Sequence, residues 1–303
     1  MIRTGALIAA FLLAASLSAG DIPGGLPVSV VVTAKGQNSA VTPQVTANDV
    51  LVSQNRNRMQ VTGMQPLRSE NGLQLWLLID DGSATTLGTQ LADLKKFVVA
   101  QSADTQIGIG YMRNGGVEKV QPLTSDHSLA AKAIRLPMGM PGIAVSPYLA
   151  LTELIHKWPA GSAAREVLMV SSGIDPEYGA GPDNPYLEEA IDAAQRAGVV
   201  VYTIYYSAAG RSAHAYWQLF WGQNYLAQLS DETGGNLYWL GTVNPVSMTP
   251  YLEDLTQRFS GQYVLTFLAR PESKPGFQPV KIRTELPHVH LTGPSKVYVP
   301  ASK

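Results

Sequence analysis

Three oxygen-bearing residues stand at alternate positions in one short stretch: Asp81, Ser83 and Thr85. In a locally extended backbone, residues two apart point the same way. One carboxylate and two hydroxyls would then converge, which is ligand chemistry for a hard cation such as Mg2+. A second register starts at Asp80 and places Gly82 and Ala84 at the alternate positions, where neither hydroxyl is kept. The reading preferred from the residues is the first register. The plainer use of the same residues is local: Asp81 and Ser83 turn the chain and cap the helix that follows.

The elements that must position this loop are legible around it. Leu73 to Ile79 is an almost unbroken apolar run, as expected of a strand buried on both faces of a parallel sheet. After the loop, Leu87, Leu91, Leu94, Phe97 and Val98 recur at helical spacing. Strand, tight polar loop and helix place the oxygens at the carboxyl end of a strand, where open α/β sheets bind their ligands. Further strands are expected over 105–111, 117–122, 166–171, 199–206 and 236–240, and helices from 125 to about 135 and over 147–157, 184–197, 216–232 and 249–259. Asn114-Gly-Gly116 is a hairpin signal, so the strand at 117–122 should run antiparallel to its neighbour. Pro147 suits the first turn of a helix, which makes Ser146 its N-cap. Alternation of strands and helices means a mostly parallel central sheet with helices on both faces.

The flanks read differently. Residues 28–33, 49–53 and 59–62 are strand-like, as are 262–268, 279–285 and 296–299. Each flank is too small to stand alone, so the two are expected to meet in a small β-sandwich with the α/β domain inserted between them. The division is a signal peptide over 1–20, an N-terminal β-rich flank over 21–70, the α/β domain over 71–261 and a C-terminal β-rich flank over 262–303. Within 1–20, Arg3 is the positive region, Ala6 to Leu17 the apolar run, and Ser16, Ser18 and Ala19 supply small residues for cleavage. An uncleaved anchor is the alternative. The expected location is periplasmic or secreted.

Asp81-Gly-Ser83-Ala-Thr85 after a buried strand resembles the Asp-x-Ser-x-Ser signature that begins the metal-ion-dependent adhesion site of von Willebrand factor A domains. The resemblance extends over roughly Leu73 to Gly261. The stretches Leu78-Ile-Asp-Asp81, Ser146-Pro-Tyr148, Arg165 to Asp175 and Trp221-Gly-Gln-Asn-Tyr225 are similar to those of an A-domain-related family common in acidobacterial secreted proteins. The resemblance implies a Rossmann-like A domain whose first and fourth strands lie side by side. Asp81 would then stand beside Ser172 and Asp175, with Ser146 approaching from a helix start. The implied metal set is Asp81, Ser83, Thr85, Ser146 and Asp175, holding Mg2+ or another divalent cation. The family pattern has a threonine near Ser146 and an aspartate at Ser172, so one hydroxyl is kept and one carboxylate is missing. A degenerate, metal-free site is the alternative.

The remaining chemistry is narrowed by exclusion. The 303-residue chain carries 22 Lys and Arg against 23 Asp and Glu, a net charge of −1, which gives no electrostatic case for nucleic acid. With no cysteine there is no disulfide, no cysteine-ligated zinc and no thiol nucleophile. Gly108-Ile-Gly110 lacks a third glycine and is no phosphate loop. Ser171-Ser-Gly173 faintly resembles a nucleophile elbow, with Asp231 and His288 in the order of a hydrolase triad, yet the leading glycine is absent. His288 and His290 share one face of an extended segment, a surface pair. The aromatic run Tyr216, Trp217, Phe220, Trp221 and Tyr225 is partly a helical core stripe; its remainder, Trp217 and Trp221, is suited to a partner. These readings lead to an exported, non-enzymatic binding or adhesion-type protein for a protein ligand. A structural subunit of an envelope complex or a secreted serine hydrolase are the alternatives.

Overall fold

The computed structural model describes residues 25–37, 42–67, 72–139, 146–159, 161, 163–206, 216–239 and 246–301. The expected signal peptide lies outside them.

Two sheets organise the chain. Strands β1 (Leu26–Gly36), β2 (Val50–Gln54) and β3 (Asn57–Pro66) come first. The α/β region follows, with β4 (Leu73–Asp80), α1 (Leu91–Val99), β5 (Thr105–Arg113), β6 (Gly116–Thr124) and α2 (His127–Lys132). It continues through α3 (Pro147–His156), β7 (Ala164–Ser171), α4 (Pro185–Ala197), β8 (Val199–Tyr205), α5 (Tyr216–Thr233), β9 (Leu237–Tyr238) and α6 (Thr249–Ser260). Strands β10 (Gln262–Ala269), β11 (Gly276–Thr284), β12 (Val289–Thr292) and β13 (Lys296–Val299) close the chain.

The central sheet has the order β6-β5-β4-β7-β8-β9, all parallel except β6. The β5–β6 hairpin turns through Asn114 and Gly115, both at positive φ, as the Asn-Gly signal requires. Along β4 the side chains divide cleanly. Leu73, Leu75, Leu77 and Ile79 pack with α1, α2 and α6, whereas Trp76 and Leu78 pack with α3, α4 and α5. Burial on both faces is why the run carries no polar alternation. Helix boundaries follow the capping chemistry: Ser146 and Asn184 cap α3 and α4, each with proline in the first turn, and Gly198 ends α4 in the left-handed conformation. The helix expected to run from 125 to about 135 is only the six residues of α2, begun by the Asp126 cap on Leu129 N.

The flanks pair with each other in one seven-stranded antiparallel sheet, ordered β12-β1-β10-β3-β2-β11-β13. This corrects the expected sandwich. β10 is hydrogen-bonded on both edges, to β1 and β3, so the N- and C-terminal strands interleave edge to edge instead of forming two stacked sheets. The single sheet curls, and Val32, Val52, Leu265, Phe267, Val280 and Val297 share one apolar cluster. The α/β domain leaves after Pro66 and returns at Gln262, and Tyr263 pairs with Pro66. Entry and exit are thus neighbouring strands. The seam beside them is polar: the Gln262 amide donates to the Glu166 carboxylate and to Tyr202 Oη.

Candidate functional site

The carboxyl ends of β4 and β7 lie side by side, and the polar residues singled out from the sequence collect around them. They form separate centres, however, not one. Asp80 ends β4 and faces β7: its Oδ2 accepts from Ser171 Oγ at 2.9 Å, and its Oδ1 from Gly82 N at 2.9 Å. Burial raises its carboxyl to about 6, against the lowering effect of those two hydrogen bonds and aided by the neighbouring Asp81 charge.

Asp81, the next residue, turns to the other side. It is fully buried. Its two oxygens accept from the Arg135 guanidinium, at 2.7 Å from Nη1 and 3.1 Å from Nη2. Met138 N donates to Oδ1 at 3.0 Å, and Arg113 Nη1 stands 3.7 Å from Oδ2. Arg135 is itself clamped. Its guanidinium lies 3.8 Å from the centroid of the Tyr111 ring, and Tyr111 Oη accepts from Arg135 N and donates to Arg135 O. The Asp81 hydrogen bonds hold that guanidinium's pKa above its ordinary value.

The third centre is Asp175. Its Oδ2 accepts from Ser146 Oγ at 2.9 Å and Asn184 Nδ2 at 3.0 Å, and its Oδ1 from Glu177 N and Tyr178 N. Ser146 also accepts from Leu149 N. Ser83 is fully buried and its Oγ has no hydrogen-bond partner among the described residues, whereas Thr85 is exposed at the start of a 3-10 turn. Ser172 is buried, and its Oγ accepts from Ile174 N at 3.3 Å.

The set Asp81, Ser83, Thr85, Ser146 and Asp175 is therefore divided by the structure. Asp80, the last residue of β4, bonds to Ser171 at the end of β7, and Asp81 turns instead to Arg135 and the main chain of Met138. A divalent ion needs carboxylate oxygens that are free to coordinate it. Asp81 is neutralised by a bidentate guanidinium, and Asp175 already accepts four donors. Asp80 is a carboxyl whose charged form the site disfavours. Among the described residues no three acidic or histidine side chains group as metal ligands. The unpartnered Ser83 hydroxyl is the one feature that suits a cation. As placed, these residues do not fit a divalent ion.

The hydrolase constellation is not gathered either. Ser171 Oγ donates to Asp80, Asp231 lies near the end of α5, and His288 lies in the turn before β12 with Nδ1 at 2.9 Å from Gln37 Oε1.

The aromatic helix borders these centres through a close backbone contact. Gly173 has φ +68°, and a Cβ there would lie 2.1 Å from Gly222 O. Two glycines thus let α5 ride directly on the Ser172–Ile174 turn. Trp221 stacks on Tyr225 at 5.9 Å, and Tyr225 Oη bonds to the main chain of Gly181. Trp217 is 51% exposed. Tyr216 and Phe220 are exposed beside it, as are Leu136 and Met138 next to the Asp81 clamp, Trp239 after β9 and Val246 before α6. Among the described residues, every exposed large apolar side chain except Val99 and Leu129 stands at this edge of the sheet.

Arg135, Arg113, Tyr111 and Asn184 were not foreseen as members of the site. Arg135 lies 54 residues from Asp81, with no local signal linking the two. Asn184 was visible as the start of the 184–197 helix, but not as a donor to Asp175.

No protein-family model and no curated protein matches the sequence. Solved structures similar in fold include an aerotolerance-related membrane protein from Bacteroides fragilis NCTC 9343, at 11% identity and TM-score 0.45, over 62% of this chain and 98% of that one. The conserved hypothetical protein BatB from Bacteroides thetaiotaomicron is similar at 13% identity and TM-score 0.43, over 62% and 98%. The ArnB paralog VWA2 from Sulfolobus acidocaldarius is similar at 12% identity and TM-score 0.42, over 89% and 76%. At these distances the likenesses carry no function across, and the topology stands on its own. With β4 as its first strand the sheet reads 3-2-1-4-5-6, the third strand reversed, so the domain between Leu73 and Ser260 has a Rossmann-like α/β fold, with the first and fourth strands side by side as the A-domain resemblance implies.

Proposed function

We propose that this chain is an exported, non-enzymatic binding protein. It grips a protein partner with the carboxyl edge of its A-type sheet and needs no divalent cation to do so. The observation that supports this reading is the concentration of exposed aromatic and aliphatic side chains at one edge, led by Tyr216, Trp217 and Phe220 on α5. Aromatic anchors of this kind dominate binding energy at protein interfaces, and contiguous exposed apolar surface marks interaction sites. The Arg135–Asp81 pair supports the cation-free part, because a fixed internal guanidinium already supplies the positive charge that a metal would bring.

One observation favours the metal-dependent alternative, the buried and unpartnered Ser83 hydroxyl. Thermal melts with EDTA, Mg2+, Ca2+ and Mn2+ separate the two. A ligand that binds only the native state raises the melting temperature by mass action, so the proposed reading expects no shift at millimolar concentration. A rise with Mg2+ that Ser83→Ala abolishes would establish the metal reading. The binding role is tested by isolating complexes from envelope fractions with and without EDTA. A stoichiometric partner retained in EDTA and lost with Trp217→Ala/Phe220→Ala is expected, and retention by that variant would refute the edge as the binding face. Export is tested by the mass of the mature protein, which should lack about the first 20 residues.

A further inference from the structure

A second site lies at the opposite end of the α/β domain. Among the described residues the curled sheet does not close on itself. On one side β1 pairs with β10 from Leu26 to Thr33, but on the other it pairs with β12 only from Thr33 to Gly36. β13 has a partner strand, β11, on one side only. The free edges of β1 and β13 approach each other, and the seam between them opens into a cavity of about 390 Å3 capped by the end of α4 and the start of β8. That volume lies within the range of small-molecule sites, about 300–1,000 Å3, which favour domain interfaces and the mouths of barrels.

The lining has one sign of charge. Val30, Val31, Val200 and Val264 give it apolar walls, and among the described residues its charged side chains are Arg165, Arg196 and Lys296, with no acid. In a chain with 22 basic and 23 acidic residues this is a local excess of positive charge. Lys296 reaches Glu232 at 3.4 Å. The two arginines have no carboxylate within ion-pair reach among the described residues. Arg196 lies over the Tyr298 ring at 4.0 Å. Arg165 donates to Ala197 O, which neutralises the carbonyl end of α4 that would otherwise repel an anion. A guanidinium has five N–H donors, so most of those on Arg165 stay available, and burial lowers its pKa with nothing acidic to offset the cost.

We propose that this cavity binds a small amphipathic carboxylate. The hydrocarbon part lies along the valines of β1, β8 and β10, and the carboxylate sits on Arg165 with Lys296 at the rim. Partly buried guanidinium groups are the preferred partners of carboxylates because their fork matches the two oxygens. The site is independent of the aromatic edge, which lies at the other end of the sheet.

Isothermal titration calorimetry of the mature chain with sodium octanoate tests the proposal, with 1-octanol as the uncharged probe of equal length. Saturable binding at one site is expected, with octanol weaker by about tenfold or more, the loss of one charged hydrogen-bonded contact. Arg165→Met should weaken octanoate by a similar factor and leave octanol unchanged, and Lys296→Met, at the exposed rim, should weaken it severalfold. Trp217→Ala should change nothing. Should Arg165→Met not fold, Lys296→Met and the octanol comparison still decide. Absence of saturable octanoate binding, equal affinity for octanol, or loss of binding with Trp217→Ala would overturn the proposal.

Discussion

Replacing Arg135 with alanine exposes how the Asp81 centre is held. Asp81 is fully buried and Arg135 is its bidentate partner, with the Arg135 side chain one-third exposed. Removing one member of a buried ion pair leaves an uncompensated charge and costs about 3–5 kcal/mol. The lost stacking on Tyr111 adds about 1 kcal/mol. Met138 N remains bonded to Asp81, Arg113 stands 3.7 Å away, and water can enter where the guanidinium was, so part of the cost is recovered. The balance is about 3 kcal/mol. For a chain of this size, at about 2 cal/mol/K of unfolding entropy per residue, it corresponds to a fall in melting temperature of roughly 5 °C. Asp81→Asn should be milder, about 1 kcal/mol, because an amide still accepts from Met138 N and the freed guanidinium reaches water. Denaturant titration at pH 7, monitored by far-ultraviolet circular dichroism, measures both. The order of the two variants is the decisive result. If Asp81→Asn costs as much as Arg135→Ala, or if Arg135→Ala costs under about 1 kcal/mol, the buried carboxylate is not what the guanidinium stabilises.

Other outcomes follow from the neighbouring residues. The folded-state pKa of Asp80 is raised to about 6 by burial. The stability associated with its protonated form is therefore complete below the unfolded pKa near 4 and is lost as pH rises through about 6. Asp80→Asn, whose amide oxygen still accepts from Gly82 N while its NH2 donates to Ser171 Oγ as a protonated carboxyl could, should match the wild type near pH 4 and exceed its stability at pH 7 by up to about 3 kcal/mol; parallel pH–stability curves would contradict this. Gly173→Ala places a methyl 2.1 Å from Gly222 O at positive φ, and should cost more than about 3 kcal/mol or prevent soluble expression. A melt within 1 °C of wild type would show that α5 can move away. Trp217→Ala and Phe220→Ala, both about half exposed, should stay within about 0.5 kcal/mol of the wild type in denaturant titration while losing the partner.

Where a local physical rule applied, the sequence was legible. The both-faces burial of Leu73 to Ile79 followed from an unbroken apolar run, and the antiparallel β6 from Asn114-Gly115. The start of α3 followed from Ser146 standing before Pro147. Pairing of the two flanks was legible too, because strands too few to stand alone need partners. That the strands would form one curled sheet was not, since alternation fixes which face is apolar but not what that face meets. In the site, the family resemblance brought Asp81, Ser146 and Asp175 to one sheet edge around a shared ligand, whereas their polar atoms face protein partners.

That last distinction separates what the chain dictates locally from what folding decides. Residue types and periods alone determined the strand–loop–helix at Asp80 and Asp81, the mostly parallel sheet, the paired β-rich flanks and the absence of thiol and phosphate-loop chemistry. Only the tertiary structure decided that β4 ends at Asp80. Because successive residues of an extended chain point opposite ways, Asp80 reaches Ser171 and Asp81 reaches Arg135. The Arg135 guanidinium, from beyond the hairpin and α2, reaches Asp81 only because the β5–β4 pairing and the Tyr111 clamp bring it there. A contact made across 54 residues is set by packing, and no local pattern in the sequence encodes it.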